Sequence, residues 1–247
     1  MLRITIISII AFYSSAATAQ KWGNCTADTR TIVDKADRIM FSRTSAGKMT
    51  MSVKKAGYSS KMTMKFWSEG RDKMSVKITS PARNRNTSTL KVGNNVWYYM
   101  PRTDRIVKVN SSMMGESWMG SHFSNDDLVK ETQLYKHYDC QSRKDDKDFI
   151  VIELKPKSNA PVVWGKIVMK ILKSNNIPEE SRYYSEKGQL KRTMKFSGVK
   201  KVDGKTVPTV MTLIPAGKEE FTKLVYEKIR FDVAIPSRYF SIRGLKK

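Results

Sequence analysis

Histidine is scarce in this chain, with two residues, His122 and His137, among 247. Neither lies in an H-E-x-x-H pattern, and the sequence has no G-x-S-x-G elbow, no Walker loop and no Rossmann fingerprint. Nucleophilic, metal-assisted and nucleotide-dependent chemistry therefore have no motif to rest on, and the chain is expected not to be an enzyme and to need no cofactor. Adjacent carboxylates do occur, at Asp126-Asp127, Asp145-Asp146, Glu179-Glu180 and Glu219-Glu220. The first pair reads as helix capping and the others as turns between strands, and neighbours in sequence are no evidence for two carboxyl groups facing each other across a substrate. His137 reads as a surface or cross-strand partner in a strand, and His122 as a polar loop residue beside Trp118.

Long apolar runs are also missing once the first twenty residues are passed. That opening segment has a positive Arg3, an apolar stretch from Ile4 to Tyr13 and an A-x-A site at Ala17-Thr18-Ala19. It is too short for a membrane span, which takes roughly 18 or more apolar residues, and it has the three parts of a secretory signal. Residues 1–19 are thus expected to be a signal peptide, and residues 20–247 one exported domain.

Cysteine is limited to Cys25 and Cys140. An even count in an oxidising compartment favours a disulfide between them over a metal site, with two buried free thiols as the alternative. Lipidation of Cys25 is disfavoured by the Lys21-Trp22-Gly23-Asn24 run before it, where a lipoprotein signal has small and apolar residues. Acidic residues are few as well: 23 Asp and Glu stand against 46 Lys and Arg, a formal charge of +23. Such an excess suits polyanions. Export and the lack of any C-x-x-C, zinc-finger or RNP-type motif argue against nucleic acid, which leaves two readings, contact with an anionic membrane surface or a solvated basic surface that aids solubility.

What the chain has in abundance is alternation. Met49, Met51 and Val53 alternate with Thr50, Ser52 and Lys54; Met62, Met64 and Phe66 with Thr63, Lys65 and Trp67; Met74, Val76 and Ile78 with Ser75, Lys77 and Thr79. Each run predicts a half-buried strand, with hairpin turns at 56–59 and 69–72. The pattern recurs at 87–92, 96–100, 105–109, 134–140, 149–154, 163–172, 182–186, 190–199, 206–214 and 222–231, which makes eleven to thirteen strands in an antiparallel meander. Two stretches read as helix. Residues 26–41 place Ile32, Val33, Ala36, Ile39 and Met40 at helical spacing, and Ser124-Asn125-Asp126-Asp127 fits a capping box that starts a helix at Leu128. An apolar sheet face of this extent must curl or be covered, so the fold class is mainly β, a curved antiparallel half-open barrel of about 11 strands with the helices as a lid.

The apolar face is rich in methionine, which is flexible and polarizable and re-packs around guests of variable shape, whereas a closed core is better specified by Leu, Ile and Val. Met49, Met51, Val53, Met62, Met64, Phe66, Met74, Val76, Ile78 and Met100 are the candidate lining of a cavity for acyl chains. Met113, Met114, Trp118, Met119, Phe123 and Leu128 are the candidate lid. An ordinary methionine-rich core is the other reading of the same residues.

The string from Met113 to Leu128, with its W-M-G-S-x-F-x-x-D-D-L core, together with Lys91-Val92-Gly93-Asn94-Asn95-Val96-Trp97-Tyr98-Tyr99-Met100-Pro101 and Tyr239-Phe240-Ser241-Ile242-Arg243, resembles the LolA-like outer-membrane lipoprotein-sorting proteins of Gram-negative bacteria. His122 stands where relatives usually have an acidic residue. The resemblance implies a half-open β-barrel closed by helices and a soluble periplasmic carrier, expected to be a monomer. Such a carrier holds the acyl chains of a lipoprotein or lipid, takes them from an inner-membrane transporter of ABC or RND type and passes them to an outer-membrane acceptor. The alternatives are a free-lipid binding accessory of an RND-type exporter and a module that only contacts the membrane surface.

Overall fold

The computed structural model describes residues 23–130 and 134–246, so the expected signal peptide lies outside the described residues. Thirteen strands form one antiparallel sheet: β1 (Thr44–Lys55), β2 (Tyr58–Glu69), β3 (Lys73–Ser80), β4 (Ser88–Val92), β5 (Asn95–Met100), β6 (Arg105–Lys108), β7 (Tyr138–Asp145), β8 (Phe149–Pro156), β9 (Lys166–Leu172), β10 (Pro178–Tyr184), β11 (Leu190–Val202), β12 (Lys205–Pro215) and β13 (Phe221–Phe231). Their order is β6-β5-β4-β3-β2-β1-β13-β12-β11-β10-β9-β8-β7. The chain thus starts at the centre of the sheet, meanders to one edge, crosses to the other and returns to pair β13 with β1. The two edges do not pair, so the sheet is open and curved rather than a closed barrel. Residues 109–130 and 134–137, between the two edge strands, are the described parts of one long connection, and Trp118, Phe123 and Leu134 of it pack on the inner face.

Short turns set this order. Lys55 and Tyr58 pair across the two-residue Ala56-Gly57 link, and Glu69 pairs with Lys73. In β1 and β2 the alternation is carried through as the sequence predicts: Met49, Met51, Met62 and Met64 are buried and Lys54 and Lys65 exposed. In β13 the alternation breaks. Thr222 and Leu224 point inward at even positions and Ile229 and Phe231 at odd ones, because the register against β1 slips by one residue at Glu227. A bulge of this kind flips the pleat, which lets both halves of the strand feed the same core. Opposite the bulge, Gly47 on β1 lies so close to β13 that a Cβ would overlap the Lys228 carbonyl oxygen.

Among the described residues three α-helices and five short 3-10 turns lie off the sheet. α1 (Ala27–Asp37) is capped by a reciprocal Thr26–Thr29 box and buries Thr29, Val33 and Ala36. α2 (Asn125–Lys130) begins three residues before the expected Leu128. Asp127 donates its N–H to the Ser124 hydroxyl at 3.2 Å and its carboxylate accepts the Ser124 N–H at 2.7 Å, so Ser124 is the cap and the helix must start at the next residue. α3 (Leu134–His137) corrects the expected strand over 134–140, which begins only at Tyr138. Leu134 and Tyr138 are both buried, a spacing of four that belongs to a helical turn, and His137 ends α3, its carbonyl accepting the Lys157 N–H at 2.8 Å. Glu179 and Glu180 are a further correction: they lie within β10, where Glu179 pairs with Lys170 of β9 at 2.6 Å, and not in a turn.

The main core joins the inner face of the sheet to α1, Trp118 and Phe123. Cys25 and Cys140 are bonded as a disulfide with Cα atoms 6.1 Å apart, which ties the segment before α1 to the edge strand β7. Arg143 of β7 reinforces that tie with a 2.9 Å bond to Asp28, and Gly23 pairs with Arg143 through the backbone. Among the described residues no helix is long and apolar enough to cross a membrane.

Candidate functional site

The inward residues of β1 to β3 pack against one another. Met51, Met64 and Val76 are fully buried, Met49, Val53, Met62, Phe66 and Ile78 nearly so, and Met74 is half-buried against them. Met100 stands apart from this group, 40 % exposed at the end of β5, since it is the last residue before the turn into β6.

Empty space occurs elsewhere on the concave face, beneath α1 and over the second half of the sheet. A cavity of about 160 Å³ lies there. Met40 and Phe41, just past α1, form its roof, Met169 of β9, Met194 and Phe196 of β11 and Met211 of β12 its floor, and Phe123 one side. Of the residues expected from the sequence to line a cavity or its lid, Phe123 alone borders this one. Met169 and Met194 lie in strands whose burial alternates, β9 through Ile167, Met169 and Ile171 and β11 through Arg192 and Met194, whereas β12, which carries Met211, has apolar residues on both faces. What a strand pattern by itself does not say is which inward methionines pack into a closed core and which border open space.

The expected lid divides in two. Trp118 is buried in the main core and donates its indole N–H to Thr89 Oγ1 at 3.1 Å, with Phe123 buried beside it and Met119 and Leu128 half-buried. Met119 and Gly120 follow in left-handed backbone conformation, φ 50° and 72°, which turns the chain back after Trp118 has entered the core. Met113 and Met114 instead pack on a small separate cluster of Val96, Val109 and Val129.

Charged groups pin the covering elements from both sides. Arg192 of β11 donates from both terminal nitrogens to the two carboxylate oxygens of Asp127, each at 2.8 Å, and its guanidinium lies 4.4 Å from the Trp164 ring and 4.6 Å from the Tyr183 ring. His122 is nine-tenths buried; its Nε2 lies 3.1 Å from Glu220 and its Nδ1 2.9 Å from the Thr222 hydroxyl. That contact holds Glu220 below the usual carboxylate range, helped by the Ala56 N–H. At the C-terminal end of α1, Asp37 lies 2.9 Å from Arg71 in the β2–β3 turn and accepts the Leu134 N–H. Burial drives the Asp37 carboxyl up to about 7 despite the Arg71 charge beside it. The α1 cover is anchored covalently just before its start, while its end is held by non-covalent contacts, the Asp37–Arg71 ion pair and the packing of Ala36 in the core.

The cavity lining is mainly apolar, with Asp37, Asp127 and Ser181 among its few polar members. Among the described residues no group of three or more histidine, cysteine or acidic side chains stands close enough to hold a metal ion.

The fold has known counterparts. A DUF1329 family protein from Desulfovibrio piger superposes with a TM-score of 0.78 at 23% identity, covering 87% of this chain and 97% of its own. A protein domain from Vibrio parahaemolyticus described as outer membrane lipoprotein-sorting superposes at 0.74 with 22% identity, over 88% of this chain and 98% of that one. A LolA superfamily protein from Nitrosomonas europaea reaches 0.69 at 20% identity, over 86% and 96%. Comparison with curated proteins finds no match. A family model described as "-like: Uncharacterized protein" matches residues 70–247. The chain belongs to that family, and its fold is the open, curved sheet of the LolA-like lipoprotein-sorting proteins.

Proposed function

We propose that this chain is an exported periplasmic carrier of a single domain, which holds the acyl chains of a lipoprotein or lipid beneath α1 and passes them from an inner-membrane transporter towards the outer membrane. The apolar cavity between α1 and the methionines of β9, β11 and β12 carries this reading. The shared fold with a lipoprotein-sorting domain supports it, and the Cys25–Cys140 disulfide supports export to an oxidising compartment.

Size decides how the cavity would work. A void of about 160 Å³ suits a guest of about six carbons. At about 0.8 kcal/mol per CH₂, six carbons give about 5 kcal/mol, a dissociation constant in the sub-millimolar range. Micromolar holding takes about ten buried methylenes, so a cargo chain has to lift the cover. The end of α1 held by Asp37 is the end that can swing, because the other is fixed by the disulfide. Deformable methionines below it keep the fit loose enough for release.

Native mass spectrometry of the protein taken from its own periplasm tests the reading. Bound acyl material is expected, and Met211→Trp or Met194→Trp, which fill the cavity from two different strands, should reduce it at least tenfold. Protein that carries no acyl material and binds no fluorescent fatty-acyl probe would refute it.

A further inference from the structure

Beside the apolar cavity, and sharing Phe41 with it, is a second recess of about 460 Å³ with the opposite character. Its walls bear five cationic side chains, Arg38, Arg43, Arg71, Lys136 and Lys205, and one carboxylate, Asp72. Some of this charge is already answered: Arg38 pairs with Asp34 at 2.8 Å, and Lys205 lies 3.8 Å from Asp232. Arg43 and Lys136 are exposed and have no ion-pair partner among the described residues.

Arg71 is the key to the recess. All three nitrogens of its guanidinium are buried, yet none donates a hydrogen bond to an acceptor among the described residues. The Asp37 carboxylate lies 2.9 Å from Nη2 as an ion pair, off the line of the N–H bonds, and leaves Nε and Nη1 unanswered. The Phe41 and Tyr135 rings flank the guanidinium at 5.6 and 5.9 Å and give it no acceptor. A guanidinium has five N–H donors in a planar fork that matches an oxyanion, and leaving them buried and unmade is unfavourable. Asp37 belongs to the wall of the apolar cavity and Arg71 to the wall of the basic recess, so their contact is the boundary between the two.

We infer that the recess receives the anionic headgroup, a phosphate, sulfate or carboxylate, of a lipid whose acyl chain enters the cavity beneath α1. The inference rests on the carrier reading and narrows its cargo to anionic amphiphiles. A chain that lifts the Asp37 end of α1 withdraws the counter-charge from Arg71, and the headgroup supplies a new one with better geometry. Arg43 and Lys136 line the approach. A neutral headgroup would leave the Arg71 donors unanswered.

Isothermal titration of the whole chain with lysophosphatidic acid, with a monoacylglycerol of the same chain length and with inorganic phosphate tests this, all below their aggregation concentrations. Lysophosphatidic acid should bind at least tenfold more tightly than the monoacylglycerol, and phosphate alone far more weakly than either. An Arg43→Gln, Lys136→Gln double variant, altered only at exposed positions, should lose most of that preference while its monoacylglycerol affinity is unchanged; Arg71→Gln should do the same from within. Equal affinity for the two lipids, or a preference untouched by the double variant, would overturn the headgroup assignment and leave the carrier reading standing. Phosphate binding as tightly as lysophosphatidic acid would make the recess a free-anion site and overturn the link to lipid. If neither lipid binds, the carrier reading falls and this inference with it.

Discussion

Arg192 and Asp127 face each other as a fork on a carboxylate, two parallel hydrogen bonds of 2.8 Å, with the side chains only 7 % and 6 % exposed. Asp127 also caps its own helix through Ser124, so this one carboxylate fixes α2 and fastens it to β11. A buried pair costs little when both partners are present and much when one is removed, about 3–5 kcal/mol. Arg192→Met or Asp127→Leu alone is expected to lose that much in urea unfolding. The double variant should lose less than the sum, and strict additivity would show that the two groups do not act as a pair.

Reduction of Cys25–Cys140 releases a crosslink across 115 residues of chain. Chain entropy sets its contribution at about 4–5 kcal/mol, so the thermal midpoint should fall clearly on reduction. Thiol titration of unfolded, unreduced protein is expected to find no free thiol; two would refute the bridge.

The Asp37 carboxyl sets a pH dependence with an unusual sign. Its native value of about 7 lies above the ordinary 3.8, because burial opposes the charge. Between those values the native state keeps a proton that the unfolded chain has released, so this group lowers stability as pH rises from about 4 to about 7 and adds no further change above. Carboxyl groups held low, such as Asp203 by the Phe231 N–H and Arg230, work the other way at more acid pH. Comparing wild type with Asp37→Asn isolates the effect. From about pH 5 to about pH 8 the variant should gain at least about 1 kcal/mol relative to wild type, and a constant difference would mean that Asp37 stays ionised throughout.

Trp118 anchors the edge-to-edge connection. Trp118→Ala removes a buried ring and the donor to Thr89, a loss of about 3–5 kcal/mol. The β signal in circular dichroism should persist at low temperature, since the strands are paired by their own ladder. A change under about 1 kcal/mol would mark the segment as padding.

The charge of +23 is expected to draw the protein to anionic membrane surfaces, about 1 kcal/mol for each Lys or Arg that comes close. Vesicle co-sedimentation should rise with anionic lipid content and fall steeply with salt. Binding indifferent to both would leave the charge as an aid to solubility.

The inward faces of β1 and β2 could be read directly from the sequence, because alternation records which side of a strand avoids water, residue by residue. The cap at Ser124 and the Ala56-Gly57 hairpin were equally local. The helical turn of α3 depends on a partner distant in sequence, Asp37, which accepts the Leu134 N–H, whereas the start of α2 at Asn125 follows from the local Ser124 cap. The site was the least legible part. Met51 and Met211 both face the inner side of the sheet, but one is sealed in a packed core and the other borders a cavity. The pairing of Arg71 with Asp37, and of Arg192 with Asp127, likewise brings together residues 34 and 65 positions apart. By itself the sequence determined which side of β1, β2 and β3 faces inward, because solvent preference belongs to each side chain. Only the tertiary structure decided where space stays open and which charges meet there, because a cavity is what remains after elements far apart in the chain have packed, and no single strand contains that information.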